Sequence, residues 1–374
     1  MSWIGRKKIA FLPVHRTHAF PPDDPVPADW PNEIRRRVLF DPDTVTRMDR
    51  SLRAYLLAAS SGRADLDAVV LPMQSVNEQD VPVDFFEDQL GDQLRSQGFD
   101  AAGLVMLGGP GAGTATRGGF WARFAMAEAL GVWAMEFMHA LTDFDDLYPF
   151  DGNMGGFDEM ACSCGTHPSA YTKAAIGWLD PSAIAVHDVT SRSYDLHAID
   201  LVQPPPTGRC AAVRIGSQVP YLMIEARLMG DQFESKSQFE PGIPSQGVIV
   251  YRVQTSSPHG SAQNSQAPVV LLTPTALTLG RVFTADTGFR IVVRAAISGG
   301  FTISIDEPGL ATVPNVFQMS PTKATATIHA AGLVAKITNP SQPQGTVGSQ
   351  SPAAGQVVAL GSTVTLTLKS GPIQ

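Results

Sequence analysis

Apolar positions change their spacing several times along the chain, and each change marks a different kind of element. Residues 8–14 (KIAFLPV) form a nearly continuous apolar run of strand length, and 68–71 (AVVL) and 102–107 repeat it. Residues 41–61 place Val45, Met48, Leu52, Tyr55 and Leu56 at helical spacing, which predicts an amphipathic helix. Residues 121–141 are apolar on nearly every side, which predicts one long helix buried inside a large domain. That run could span a bilayer by length, but it carries Arg123, Glu128, Glu136 and His139, which argues for a protein interior. The Gly-rich stretch 108–119 lacks the Lys-Ser/Thr ending of a phosphate loop and reads as a connector. A short helix is expected at 169–176.

From about residue 182 the apolar runs shorten to strand length, at 221–227, 247–253, 269–273 and 288–295, separated by Pro, Gly, Ser and Gln clusters. That spacing predicts a β-rich, sandwich-like region, with the polar stretch 255–266 as a loop. The last sixty or so residues form a separate unit. A strand is expected at 313–316, followed by Ser320 as N-cap, Pro321 at the first helical position and Gly332 past the helix end. Two short strands are expected around Leu360-Gly361-Ser362.

A chain of 374 residues exceeds one hydrophobic core, so several domains are expected. The formal charge of -8 and pI near 5.5 exclude a nucleic-acid binder, and the one basic cluster, Arg35-Arg36-Arg37, reads as a solvated helix face. The apolar run after Arg6, Lys7 and Lys8 is too short for a secretory signal, and no transmembrane segment is expected. Of the three cysteines, Cys162 and Cys164 read as too close to bridge each other, so Cys210 is expected to pair with one of them.

The pentad Met135-Glu136-Phe137-Met138-His139 carries the candidate chemistry. A His-Glu-x-x-His helix sets two imidazoles one turn apart to grip zinc, with the Glu as general base. Here Met135 stands at the first ligand position, and a neutral thioether is a poor partner for hydrolytic zinc. The acidic loop that follows offers Asp143, Asp145, Asp146, Asp151, Asn153 and Asp158 as hard oxygen donors among glycines, which suits Ca²⁺.

Beyond the pentad, Leu147-Tyr148, Gly155-Gly-Phe-Asp-Glu-Met160, Pro168-Ser-Ala-Tyr-Thr-Lys173 and Gly177-Trp-Leu-Asp180 resemble the immune inhibitor A family of secreted zinc metalloproteases. The resemblance extends, more weakly, over roughly residues 8–300. It implies a zincin-like α/β domain, Glu136 as general base, His139 as second zinc ligand, Asp145 or Asp146 as third, and Met160 as the turn methionine beneath the metal. Thr142 departs from the family's glycine. Residues 313–371, with VPNV, AAGL, SQSPAAG and GSTVTLTLKSGP, resemble a PASTA domain, which implies one helix on a three-stranded sheet and recognition of cell-wall muropeptide.

The expected architecture is α+β and multidomain: a zincin metalloprotease-like domain at 1–181, a β-rich sandwich-like domain at 182–311 and a PASTA domain at 312–374. The expected function is a bacterial metalloprotease-like protein whose peptidase activity is lost or weak because of Met135 and which acts by binding. Its partners would be a protein or peptide ligand and, through the PASTA domain, peptidoglycan. Two alternatives stand beside it. One is an active zinc peptidase with its metal site completed by Asp143, Asp146 or His167. The other is a structural cell-envelope module. The family suggests a secreted or cell-surface protein.

Overall fold

The structure, a computed structural model, describes residues 2–18, 25–39, 50–108, 113–148, 151–188, 191–238, 240–255, 267–307, 309–338 and 345–369. The chain is multidomain and α+β, rich in strands with few helices. It divides into two compact units. One takes Met1–Asp188, Tyr194–Leu279 and Ala295–Thr302, and the other Val189–Ser193, Gly280–Arg294 and Ile303–Gln374.

In the first unit, β1 (Gly5–Arg16) is the longest strand and lies inside its sheet. It runs parallel to β2 (Ala64–Val70) on one side, and to β4 (Ala101–Met106) on the other. The short β3 (Gln74–Val76) pairs with its end. Strand β5 (Thr114–Ala115) lies antiparallel to β6 (Trp121–Ala125), and the sheet order is β2-β1-β4-β6-β5. A parallel strand covered on both faces needs a continuous apolar run, which is why 8–14 was legible as one.

Helices α1 (Trp30–Leu39), α2 (Leu52–Ala59) and α3 (Asp92–Ser96) lie between these strands in the chain. Leu52, Tyr55 and Leu56 are buried on α2, which starts where Ser51 Oγ accepts the Ala54 amide at 3.2 Å. Val45 and Met48 of the expected helix lie outside the described residues. Of the basic cluster on α1, Arg37 is buried rather than solvated, donating to Glu33 and to the Glu128 carbonyl.

Residues 121–141 are two elements, not one helix: β6, then α4 (Leu130–Thr142). Trp121–Ala125 is held between β4 and β5, and an interior strand is as uniformly apolar as a buried helix. Helix α4 lays Trp133 and Phe137 against the sheet. Phe124 meets Trp133 at 4.2 Å and Phe11 meets Phe137 at 5.5 Å between ring centroids. Gly103 on β4 makes room for them, since a Cβ there would lie 2.8 Å from the Phe137 ring. Glu136 and His139 consequently fall on a different face of the helix. The helix ends with Asp143 in the left-handed conformation (φ 60°), so the turn that glycine would ease is made one residue after Thr142.

Helices α5 (Glu159–Cys162) and α6 (Ala170–Ala175) follow, the latter capped by Ser169 as expected from the sequence. The expected bridge from Cys210 is corrected: Cys162 is bonded to Cys164, and Cys210 is a buried thiol. Ser163 adopts the left-handed conformation at the end of α5 and curls the chain, bringing the two Cα atoms to 5.2 Å, within disulfide reach.

Next come β7 (Ile184–His187), β8 (Ser191–His197), β9 (Ala212–Ile215), β10 (Tyr221–Arg227), β11 (Gly247–Val253) and β12 (Val269–Leu271). A second sheet has the order β12-β11-β10-β9-β7, antiparallel except where β7 meets β9. Strands β13 (Val282–Thr284), β14 (Arg290–Ile297) and β15 (Gly300–Asp306) complete this stretch, with β13 and β14 paired as a hairpin in the second unit.

The rest of the second unit holds β16 (Leu310–Thr312), α7 (Pro321–Ala330), β17 (Val334–Ile337), β18 (Thr346–Ser351), β19 (Val357–Ala359) and β20 (Thr363–Lys369). Helix α7 begins at the Ser320 cap, and Gly332 has φ 74° past its end. It packs on the three-stranded sheet β17-β20-β18 around Ala324, Ile328, Val347, Val364 and Leu366. The strand expected at 313–316 ends at Thr312. Val313 and Val316 are buried from an irregular segment whose Val316 amide is taken by the Gln350 side chain at 2.9 Å. Among the described residues no helix is long and apolar enough to cross a membrane.

One of the tight backbone contacts in the first unit is at the start of α4. A Cβ on Gly131 would overlap the Ser163 carbonyl and lie 2.5 Å from the Gly165 amide nitrogen. Helix propensity alone would make Gly131→Ala stabilising by about 1 kcal/mol. We expect the reverse, a loss of roughly 1–3 kcal/mol in chemical denaturation, because backbone cannot yield as a side chain can. An unchanged or raised stability would show that α4 does not rest on the 163–165 loop.

Candidate functional site

A cleft of about 460 Å³ lies between the β5 edge and α4. Gly113 and Arg117 line it from the edge side, Met135, Glu136 and His139 from α4, and Asp146 and Tyr148 from the loop beyond the helix. A Cβ at Gly113 would collide with the Glu136 side chain and force it to move. The Gly-rich stretch read as a connector therefore contributes a wall, although residues 109–112 lie outside the described residues.

Glu136 is 6 % exposed and its Oε2 has no hydrogen-bond partner among the described residues. Burial pushes its carboxyl up to about 7, with His139 opposing and Asp146 reinforcing the shift. His139 uses both ring nitrogens: Nδ1 meets the Phe144 carbonyl at 2.7 Å and Nε2 meets Asp146 Oδ1 at 2.9 Å. Burial alone would lower the pKa of this imidazole, but the Asp146 hydrogen bond and charge more than offset it and leave the pKa raised. While Nε2 donates to Asp146, that nitrogen offers no lone pair to a metal.

The two candidate third ligands separate. Asp146 faces His139, while Asp145 is paired with Arg117 and accepts the Asp146 amide at 3.0 Å. Met135 is buried and its sulfur accepts from Ser163 Oγ at 3.2 Å. Met160 is buried in the same core, and its carbonyl accepts the Leu147 amide at 2.8 Å, tying the acidic loop to the turn after it. His167 lies elsewhere. It is buried against Asp231 at 2.8 Å and Lys173 at 3.2 Å, and burial lowers it to about 4.

This donor set does not fit catalytic zinc. It offers one imidazole already bonded at both nitrogens, one carboxylate engaged with it, and a thioether, where such sites use three nitrogen, oxygen or thiolate donors. Among the described residues no three His, Cys, Asp or Glu side chains are grouped to hold a metal. The calcium candidates are not gathered either. Asp143 is the left-handed helix cap, Asp151 is exposed, and Asn153 bonds the Tyr148 carbonyl and the Gly155 amide. Asp158 is fully buried, and its oxygens accept from the Met160 and Ser169 amides and Thr172 Oγ1, so it is a helix cap and not a loop donor. Arg117, Gly113 and Tyr148 escaped notice as site residues because each is an ordinary surface type whose role depends on tertiary placement.

Glu136 has a testable linkage. A carboxyl whose folded pKa is raised binds its proton more tightly when folded. The associated stability is full below about 4.5 and is lost as pH rises through about 7. Glu136→Gln removes this dependence. Melts of both proteins from about pH 4 to pH 8 should show the variant gaining roughly 3 kcal/mol on wild type across that span. Parallel profiles would mean that Glu136 is hydrated and ordinary.

No curated protein matches the chain. Residues 311–370 match the model of the PASTA domain, in agreement with the helix and three-stranded sheet described for that segment, and the chain thus carries a C-terminal PASTA domain.

Proposed function

We propose that this chain is a binding protein of the bacterial cell envelope, attached to peptidoglycan or its peptide stems by the PASTA domain. The match at 311–370 is the observation that carries this reading. In the same proposal the first unit is a metalloprotease-like scaffold, of the immune inhibitor A type, that engages a peptide without hydrolysing it. Support comes from the cleft beside α4, where Glu136 and His139 keep the spacing of the zincin motif but Met135 and the His139–Asp146 pair occupy the places that metal ligation would need. A single PASTA copy has no avidity to draw on, so its binding should be moderate and readily competed.

The test is cosedimentation of the full-length protein with purified sacculi. The protein is expected in the pellet, to be released by soluble muropeptides from digested sacculi, and to leave casein intact. Protein remaining in the supernatant would overturn cell-wall binding. Casein cleavage that is lost in Glu136→Gln would overturn the non-hydrolytic reading instead.

A further inference from the structure

Between α6 and one face of the second sheet lies a cavity of about 500 Å³, which shares no lining residue with the cleft beside α4. Strand register assembles its floor. Val186 on β7 pairs with Arg214 on β9, and Arg214 pairs with Met223 on β10, so three neighbouring strands turn these side chains to one face. Ile184 and Tyr221 lie two residues from Val186 and Met223, on the same face. All five line the cavity, with Tyr171 of α6.

Arg214 is the one charged residue in this lining. Its guanidinium lies over the Tyr221 ring, 4.5 Å from the centroid, while Nε and Nη2 donate to the carbonyls of Gly216 and Ser217. Those contacts fix the side chain and leave Nη1 without a partner among the described residues. Arg37, Arg53, Arg95 and Arg227 each pair with a carboxylate, whereas no described carboxylate pairs with Arg214. The stretch that follows Thr255, another lining residue, contains no acidic residue from 256 to 266. In a chain of net charge -8, a fixed guanidinium facing a cavity without an acid is a vacancy for an anion.

The rest of the wall says what that anion is attached to. Ile184, Val186 and Met223 are apolar, and Val186 is 48 % exposed. A dianionic phosphate would call for further cations, and the lining supplies none. The volume is that of a small-molecule site. Tyr171 is 6 % exposed and its hydroxyl has no hydrogen-bond partner among the described residues, so the wall also holds an unfilled polar group.

We propose that this cavity binds an amphipathic monocarboxylate, with its carboxylate on Arg214 and its apolar body along Ile184, Val186 and Met223. A fatty acid presents that chemistry, and so does the free C-terminus of a peptide ending in an apolar residue.

The test is isothermal titration calorimetry of the full-length protein with octanoate and with acetyl-Ala-Leu. At least one should bind with a dissociation constant of about 1 mM or tighter, the range open to ligands of this size. Octanamide and acetyl-Ala-Leu amide keep the apolar body without the charge, and should bind at least about tenfold more weakly. Arg214→Gln should cost the carboxylates a similar factor. Val186→Asp sets a carboxylate across the strand from Arg214 and should abolish binding; it tests the same point should loss of the Gly216 and Ser217 bonds unfold the first variant. Tighter binding of octanoate would assign the site to fatty acids, and tighter binding of acetyl-Ala-Leu to peptide termini, and either upholds the proposal. No binding of either carboxylate at millimolar concentration, equal binding of the amides, or binding that survives Arg214→Gln or Val186→Asp would overturn it.

Discussion

The side chain of Arg227, at the end of β10 and completely buried, anchors the first unit. Its guanidinium donates to Glu234 at 2.7 Å and Glu225 at 3.1 Å, and to the carbonyls of Phe157 at 2.8 Å and His167 at 2.9 Å. The two carboxylates reach onward. Glu225 accepts the Ala170 amide and the Tyr251 hydroxyl, each at 2.8 Å, and Glu234 accepts the His167 amide at 2.8 Å. One planar fork thereby joins β10 and β11 of the second sheet to the loops that carry α5 and α6. Arginine suits this role, because its charge persists on burial and its five donors meet several acceptors at once. Such a cluster adds little net stability over an apolar core, but removing one member strands the rest and costs about 3–5 kcal/mol.

The consequence for the cleft is indirect but firm. With the loops around Phe157 and His167 held, Asp158 caps α5, Met160 accepts the Leu147 amide, and the acidic loop is drawn back toward α4. Asp146 then faces His139. Burial lowers His167 to about 4 and Lys173 to about 8, so at neutral pH His167 is neutral while Lys173 keeps most of its charge and donates to the Ile199 carbonyl at 2.6 Å. What remains in the cleft is a carboxyl pushed up to about 7 beside the His139 ring, whose pKa the Asp146 hydrogen bond raises against burial. Such a site can both donate and accept hydrogen bonds.

Much of this was legible from residue types. The short apolar run of β1 was readable as a strand from its length, and Ser320-Pro321 with Gly332 bracketed α7 because capping is a local matter. Glu136 and His139 share a cleft because i,i+3 spacing on a helix guarantees proximity. The failures share one cause, tertiary context. Trp121–Ala125 became a strand because β4 and β5 bracket it, and nothing in an all-apolar run distinguishes that from helix. The Cys162–Cys164 bridge depends on a left-handed Ser163, a conformation unusual for serine and invisible in composition. Asp158 looked like a loop donor until Ser169 and Thr172, more than ten residues away, claimed it. Arg227 drew no notice at all, because a buried arginine and an exposed one read alike.

The central claim is that the protein's own Asp146 occupies the nitrogen of His139 that a zinc ion would take. The most direct test is the ¹⁵N resonances of the His139 ring, followed from about pH 6 to pH 8 with and without one equivalent of Zn²⁺. The ring should titrate with a midpoint above that of an ordinary histidine, and Zn²⁺ should leave both nitrogen resonances unmoved. An ordinary or lowered midpoint, with an Nε2 resonance that shifts on addition of zinc, would contradict the account.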